Sequence, residues 1–304
     1  MRVFLTGATG FVGSAIVTEL LDAGHKVLGL ARSDEAAKSL TAAGAEVHRG
    51  ALDDLDSLRR GAAASDGVIH CAFIHDFSKM EAAGKTDKSA LDAIGDVLAG
   101  SGRPFVSASP TAITFAPGRL ATEEDPPDPR SAGAPRVASE QAAVALASRG
   151  VRASVVRLPL SVHGDGDHAF VPFVIGVARE RRVSAYVGEG LNRWPAVHRL
   201  DAAHLFRLAL EKGSAGARYH AIGDEGVLVR DIAQAIGQGL NVPVVAKAPE
   251  EAEAHFGWLA HFASADMPVS GARTRQQLGW QPKQPSLILD LEKGRYFATY
   301  VMRA

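Results

Sequence analysis

Thr6-Gly7-Ala8-Thr9-Gly10-Phe11-Val12-Gly13 sets three glycines at intervals of three residues. The apolar run Val3-Phe4-Leu5 leads into this stretch. Apolar residues at helical spacing leave it: Phe11, Val12, Ala15, Ile16 and Leu20. Strand, glycine turn and helix in that order form a dinucleotide-binding turn. One glycine permits the sharp turn, one lets the backbone approach a pyrophosphate, and one lets helix and strand pack closely. The helix N-terminus adds unpaired N–H groups and a partial positive charge. Gly7, Thr9, Gly10, Phe11, Val12 and Gly13 are therefore read as cofactor-binding.

Outward from the turn, the chain keeps alternating. Residues 27–31 form a second apolar run, 36–43 a helix stopped by Gly44, and Val47 belongs to a third strand. Residues 52–64 suit a helix opened by Asp53 or Asp54, and 68–72 a buried fourth strand. Residues 85–98 form an amphipathic helix and Phe105 begins a fifth strand. Residues 137–148 are an Ala-rich helix and 151–158 a sixth strand stopped by Pro159. Strands alternating with helices imply an α/β fold, a Rossmann-type doubly wound parallel sheet. Residues 116–135 hold five prolines and several acids, so they read as a surface loop, either a spacer or an active-site rim.

After Pro159 the alternation stops. Residues 170–182, 202–212 and 231–240 look helical, with Asp201 as an N-cap. The expected division is a dinucleotide-binding part over 1–158, completed by a strand near 217–222. A smaller substrate-binding part over 159–304 is interleaved with it.

Bulk properties narrow the function class. The 304 residues carry a net charge of −1, with 46% hydrophobic and 22% charged residues. Nothing there favours nucleic acid or an anionic membrane as partner, and a small-molecule substrate is expected. The single cysteine, Cys71, excludes an intramolecular disulfide and suits a reducing cytoplasm. Residues 1–20 lack a signal-peptide pattern, and no apolar run is long enough for a membrane span.

The second apolar run ends Leu30-Ala31-Arg32-Ser33. NAD-selective folds place an acid here, about 20 residues past the glycines, to bind the ribose 2′-hydroxyl. Arg32 instead can pair bidentately with a 2′-phosphate, and Ser33 can add a hydrogen bond. NADP is thus expected over NAD. The opposing reading turns Asp34 or Glu35 back to the ribose.

With these residues in place, the sequence resembles the extended branch of the short-chain dehydrogenase/reductase superfamily, and the NAD-dependent epimerase/dehydratase-like proteins within it. TGATGFVG at 6–13 matches the branch's glycine turn. Val68-Ile69-His70-Cys71-Ala72 resembles its fourth-strand segment, which implies a place for Ala72 beneath the cofactor. Arg157-Leu158-Pro159 with His163-Gly164, and WPAVHRLDAA at 194–203, resemble later segments. The usual members use Tyr-x-x-x-Lys, the tyrosine exchanging a proton with the substrate oxygen and the lysine holding the nicotinamide ribose. Here the tyrosine slot falls on Ala132 and the lysine slot on Arg136. None of the four tyrosines (Tyr186, Tyr219, Tyr296, Tyr300) has lysine four residues on. This resembles an atypical subgroup. Ala51 stands where relatives carry Asp to meet the adenine, leaving that contact to Leu52. Helices 85–98 and 137–148 resemble a four-helix dimer interface, which implies a homodimer.

The chemistry must then come from other residues. By resemblance, Ser109 or Thr111, past the fifth strand, polarises the substrate carbonyl. His75, beside Asp76, and His163 are candidate proton donors. Arg136 would hold the nicotinamide ribose or a cofactor phosphate. Phe73, Asp76, Phe77, Phe170, Phe173 and Trp194 would line an apolar pocket. His163, Asp165, Asp167 and His168 are ligand types at no familiar metal spacing, so no metal is expected. The leading expectation is an NADPH-dependent reductase of a small, fairly apolar carbonyl, enone or imine compound. A redox-neutral isomerase or lyase, and a non-catalytic NADP-binding redox sensor, stay open beside it.

Overall fold

A computed structural model describes residues 1–114 and 116–297, with the side chain of Phe77 excepted. The first half builds β1 (Arg2–Thr6), α1 (Phe11–Asp22), β2 (Lys26–Ala31), α2 (Asp34–Ala42), β3 (Glu46–Arg49), α3 (Leu55–Ala63), β4 (Gly67–His70), α4 (Met80–Leu98), β5 (Pro104–Pro110), α5 (Val137–Ala145) and β6 (Arg152–Leu158). Local chemistry places several helix starts. Ser33 accepts a hydrogen bond from the Ala36 amide to open α2, and Asp54 does the same for the Ser57 amide in α3. Asp34 and Glu35 sit in the first turn of α2, where the helix dipole favours them.

The second half adds β7 (Ser161–His163), α6 (Phe170–Arg181), β8 (Ser184–Val187), β9 (Arg193–His198), α7 (Arg199–Lys212), β10 (Arg218–His220), β11 (Asp224–Leu228) and α8 (Val229–Leu240). It ends with β12 (Val244–Lys247), α9 (Ala252–Phe256), α10 (Ala260–Ser264), α11 (Ala272–Leu278) and α12 (Leu287–Lys293). Asp201 is not the cap of α7. His198 takes that place, and Asp201 lies inside the first turn. There its two carboxylate oxygens accept the amides of Lys283 and Gln284, tying the later chain to the helix.

The main sheet has seven strands in the order β10-β6-β5-β4-β1-β2-β3, all neighbours parallel. The central strands are buried on both faces, which is why they read as continuous apolar runs. One face packs Val3, Leu5, Ile69 and Val106 against α1 and α7 through Ile16, Leu20, Leu205 and Phe206. The other packs Phe4, Val68 and Phe105 against α3, α4 and α5 through Leu58, Leu91 and Ala143. A separate core of Val174, Trp194, Ile232, Ile236, Leu287 and Leu291 holds the later elements together. Among the described residues, no helix is long and apolar enough to cross a membrane.

Candidate active site

The strand order reverses between β1 and β4, and ligands of open α/β sheets bind in the crevice at the carboxyl ends of such a pair. The glycine turn occupies that edge. Gly7 adopts φ +70°, and a Cβ on it would lie 2.7 Å from the Ala72 amide nitrogen just past β4. A Cβ on Gly13 would lie 1.9 Å from the Gly7 carbonyl oxygen. Both glycines are therefore required by contact. Gly10 is the N-cap of α1 and offers no side chain to the first-turn amides. A cradle this tight, opening on an uncapped 12-residue helix, fits the pyrophosphate of a dinucleotide.

Beside the turn, Arg32 is exposed just beyond β2. Ser33 Oγ accepts the Ala36 amide at 3.2 Å, which leaves its hydroxyl proton to donate elsewhere. Leu52 is half-buried against the core beneath β2, in the loop that follows β3. The Ala72 amide donates to Thr6 Oγ1 at 3.3 Å.

Behind the turn lies a chain of buried polar groups that sequence reasoning missed apart from its last member. Thr6 Oγ1 is 3.0 Å from His70 Nδ1, and His70 Nε2 is 3.0 Å from Asp87 Oδ1. His70 is 1% exposed and Asp87 is fully buried. Asp87 Oδ2 lies 3.2 Å from Arg136 Nε. Burial alone would raise the Asp87 carboxyl, but the His70 hydrogen bond and the Arg136 charge hold it below the ordinary range. Arg136 Nη2 donates to the Ala108 carbonyl at 2.9 Å, and its guanidinium covers the Phe73 ring with Cζ 4.0 Å from the centroid. Arg136 thus reaches the gap where β5 runs on beyond its last β4 partner, Ser107.

The candidate donors lie in different environments. Ser109 is buried, and its Oγ donates to Glu140 Oε2 at 2.7 Å. Arg157 and Arg218 bind the same carboxylate, and Arg157 Nη1 also meets His220 Nε2 at 3.2 Å. Ser109 therefore belongs to an ionic cluster inside the fold, which corrects its reading as a carbonyl donor. Thr111 is 3% exposed and opens a short 3-10 turn over Thr111–Ile113, onto which the Gly133 amide docks. His163 is fully buried, with Nδ1 2.8 Å from Asp290 Oδ2 and its ring edge-on to His198. That position corrects its reading as a proton donor.

His75 remains at the cleft, exposed on the loop leaving β4, with its ring edge-on to Phe73 at 5.2 Å. Partial desolvation lowers its pKa, and the charges of Arg136 and His168 lower it further, so it is neutral near pH 7. Asp76 is not its partner. The Asp76 carboxylate caps the short turn Phe77–Lys79 by accepting the amide and hydroxyl of Ser78.

The pocket aromatics divide similarly. Trp194 is 1% exposed, and its Nε1 donates to the Phe262 carbonyl, so it is core and not rim. Phe170 packs among Trp194, Trp258 and Phe262 in the same core. Phe173 lies against Trp258 at 4.9 Å. Phe73 lies under Arg136, while the side chain of Phe77 lies outside the described residues.

Two residues of the second half close over the glycine turn. Arg199, first residue of α7, stacks on Phe11 at 4.6 Å and donates to Ser14 Oγ at 2.8 Å. His168 meets Phe11 edge-on at 5.8 Å. The loop bearing His168 is fastened by Tyr296, whose hydroxyl donates to Asp167 Oδ2 and accepts the Gly164 amide.

Comparison with known proteins agrees with this geometry. A model of the NAD dependent epimerase/dehydratase family matches residues 3–223. An uncharacterised protein of Schizosaccharomyces pombe is 51% identical over 301 residues, covering 98% of this chain and all of its own. A 4-hydroxy-2-methyl-3-oxo-4-farnesyl-3,4-dihydroquinoline-1-oxide ketoreductase of Stigmatella aurantiaca is 29% identical over 228 residues, covering 72% of this chain and 67% of its own. The dTDP-glucose 4,6-dehydratase DesIV of Streptomyces venezuelae, solved with NAD and TYD bound, shares the fold. Its TM-score is 0.79 at 20% identity, over 98% of this chain and 97% of that one.

Proposed function

Because the chain belongs to the NAD dependent epimerase/dehydratase family, within the extended short-chain dehydrogenases/reductases, we propose that it is an NADPH-dependent reductase of a small, fairly apolar carbonyl, enone or imine compound. The observation that carries this reading is the glycine cradle at the β1–β4 crevice with Arg32, rather than an acid, exposed just beyond β2. The likeness to a ketoreductase supports the reductive direction.

When bound, a reduced nicotinamide dinucleotide supplies the hydride. The chain's own residues do the rest. Gly7, Gly10 and the first-turn amides of α1 would receive the pyrophosphate, and Arg32 with the Ser33 hydroxyl would meet the 2′-phosphate. Arg136 places a fixed positive charge at the end of β5, where charge develops on the acceptor. His75, kept neutral, passes a proton between water and the product oxygen. Phe73 and the exposed Ile74 give the cleft its apolar wall.

NADPH and NADH titrations, followed by NADPH consumption across a panel of aldehydes, ketones, enones and imines, test the reading. NADPH should bind more tightly, and Arg32→Ala should weaken NADPH by roughly 10- to 100-fold while sparing NADH, the worth of charged hydrogen bonds to a phosphate. Preference for NADH would remove the Arg32 assignment. Conversion of a substrate with no net change in the dinucleotide would make the protein an isomerase or lyase. Binding without any turnover would make it a sensor.

A further inference from the structure

The polar chain Thr6–His70–Asp87–Arg136 is too deep to touch a ligand until its last member. Its hydrogen bonds nonetheless run in one consistent sense. The Ala72 amide donates to Thr6 Oγ1, so the Thr6 hydroxyl is free to donate to His70 Nδ1. With that donation, His70 Nε2 carries a proton and donates it to Asp87 Oδ1. Asp87 Oδ2 is left for Arg136 Nε. Both atoms are buried with no hydrogen bond of their own, and they face each other across a 3.2 Å ion pair.

Arg136 is thereby held on three sides. Asp87 takes Nε, the Ala108 carbonyl takes Nη2, and the Phe73 ring lies against one face. Nη1 has no partner among the described residues, and Arg136 as a whole is 9% exposed. This leaves one oriented donor at the cleft. Ser109 is spent on Glu140, and His163 is buried with Nδ1 against Asp290.

We propose that Arg136 Nη1 donates to the oxygen of the bound carbonyl, in place of the missing tyrosine hydroxyl, and that Asp87 and His70 are positioning residues that aim it. The role rests on the reductase reading. In the reaction, the carbonyl carbon gains a hydride from the reduced dinucleotide and the π electron pair moves onto oxygen. Arg136 stabilises the charge formed there without giving up its proton. A proton from water, relayed by His75, completes the alcohol, and the dinucleotide is left oxidised.

The experiment compares wild type, Arg136→Ala, Asp87→Asn, His70→Gln and the Arg136→Ala/Asp87→Asn double variant. Steady-state kinetics are read alongside NADPH affinity from fluorescence titration. Arg136→Ala should lower kcat by about 100- to 1,000-fold, as loss of one oxyanion donor does. Its NADPH affinity should stay within about threefold, and added guanidinium ion should restore part of the turnover. Asp87→Asn should lower kcat by about tenfold and His70→Gln by less, and the Asp87→Asn loss should not recur once Arg136 is gone. Weakened NADPH binding with kcat retained in Arg136→Ala would make Arg136 a cofactor clip and overturn the proposal. An Asp87→Asn loss that adds in full to that of Arg136→Ala would reduce Asp87 to packing. The guanidinium rescue decides the role of Arg136 even if Asp87→Asn does not fold. A wild type that binds NADPH yet reduces nothing ends the reductase reading and this proposal together. Turnover indifferent to Arg136→Ala ends this proposal alone.

Discussion

A methyl group on Gly13 would lie 1.9 Å from the Gly7 carbonyl oxygen, and the turn has no slack to move away, because Gly7 itself is pressed against the Ala72 backbone. Gly13→Ala should therefore destabilise the protein by about 1–3 kcal/mol in urea unfolding, the usual cost of forcing a methylene into a packed site. It should weaken NADPH binding as well, since relief of the clash opens the cradle. Stability and affinity both unchanged would show that the turn yields at little cost. The glycines were legible in the sequence because each answers a local demand of the backbone. Ser109 was not: read as lying past the fifth strand, it falls inside β5. Its hydroxyl is claimed by Glu140, 31 residues on, which also collects Arg157 and Arg218. Nothing near Ser109 in the chain records that claim.

At the scale of elements, the loop between β7 and α6 depends on a residue far along the chain. Tyr296 follows α12, and its hydroxyl bridges Asp167 Oδ2 and the Gly164 amide at 2.8 and 3.1 Å. Burial, then the neighbouring Asp167 charge, raises the tyrosine well above its ordinary range, so it stays a neutral donor. Tyr296→Phe should cost about 1–3 kcal/mol, the penalty for polar groups left short of a buried partner. Hydrogen exchange across residues 163–169 should quicken, while β1 and β5 keep their protection. Uniform quickening would place the effect in global stability instead. The alternating strands and helices of the first half were legible because their periods of 2 and 3.6 repeat over whole elements. Arg199 on Phe11, Tyr296 on Asp167 and His70 on Asp87 were not, because each joins elements by side-chain reach. The same holds for Trp194. An indole looks identical in sequence whether it rims a pocket or, as here, donates to Phe262 inside a core.

For the molecule as a whole, the cluster of Glu140, Arg157, Arg218 and His220 joins α5, β6 and β10. It also reaches the loop at Asp125 through Arg157 and the Ser270 carbonyl through His220. Burial, with the Arg157 charge, lowers the pKa of His220 from 6.5 to about 4. The folded state therefore holds His220 neutral over a range in which the unfolded chain binds a proton. Stability should be full above about pH 6.5 and fall as the pH drops toward 4, where the folded imidazole also becomes charged. Burial alone would raise the Glu140 carboxyl, but Arg157, then Ser109 and Arg218, hold it below its ordinary value. Its contribution is present above the usual carboxylate range and is lost at still lower pH. Urea midpoints measured from pH 7.5 to 4 should show the decline, and His220→Gln should flatten it. A variant with the wild-type slope would assign the acid sensitivity elsewhere.

The same edge of the sheet bears on how the protein is made. β6 ends at Leu158 and its outer neighbour β10 begins at Arg218, so the last strand of the sheet is translated well after the one it covers. Ribosomes add roughly 5–20 residues per second, which leaves the outer edge of β6 uncovered for several seconds in every nascent chain. An uncovered strand edge is a template for pairing with another chain. Yield in a crowded expression host is therefore set in part by that interval, and slower synthesis or lower temperature would lengthen it as well as slow collisions.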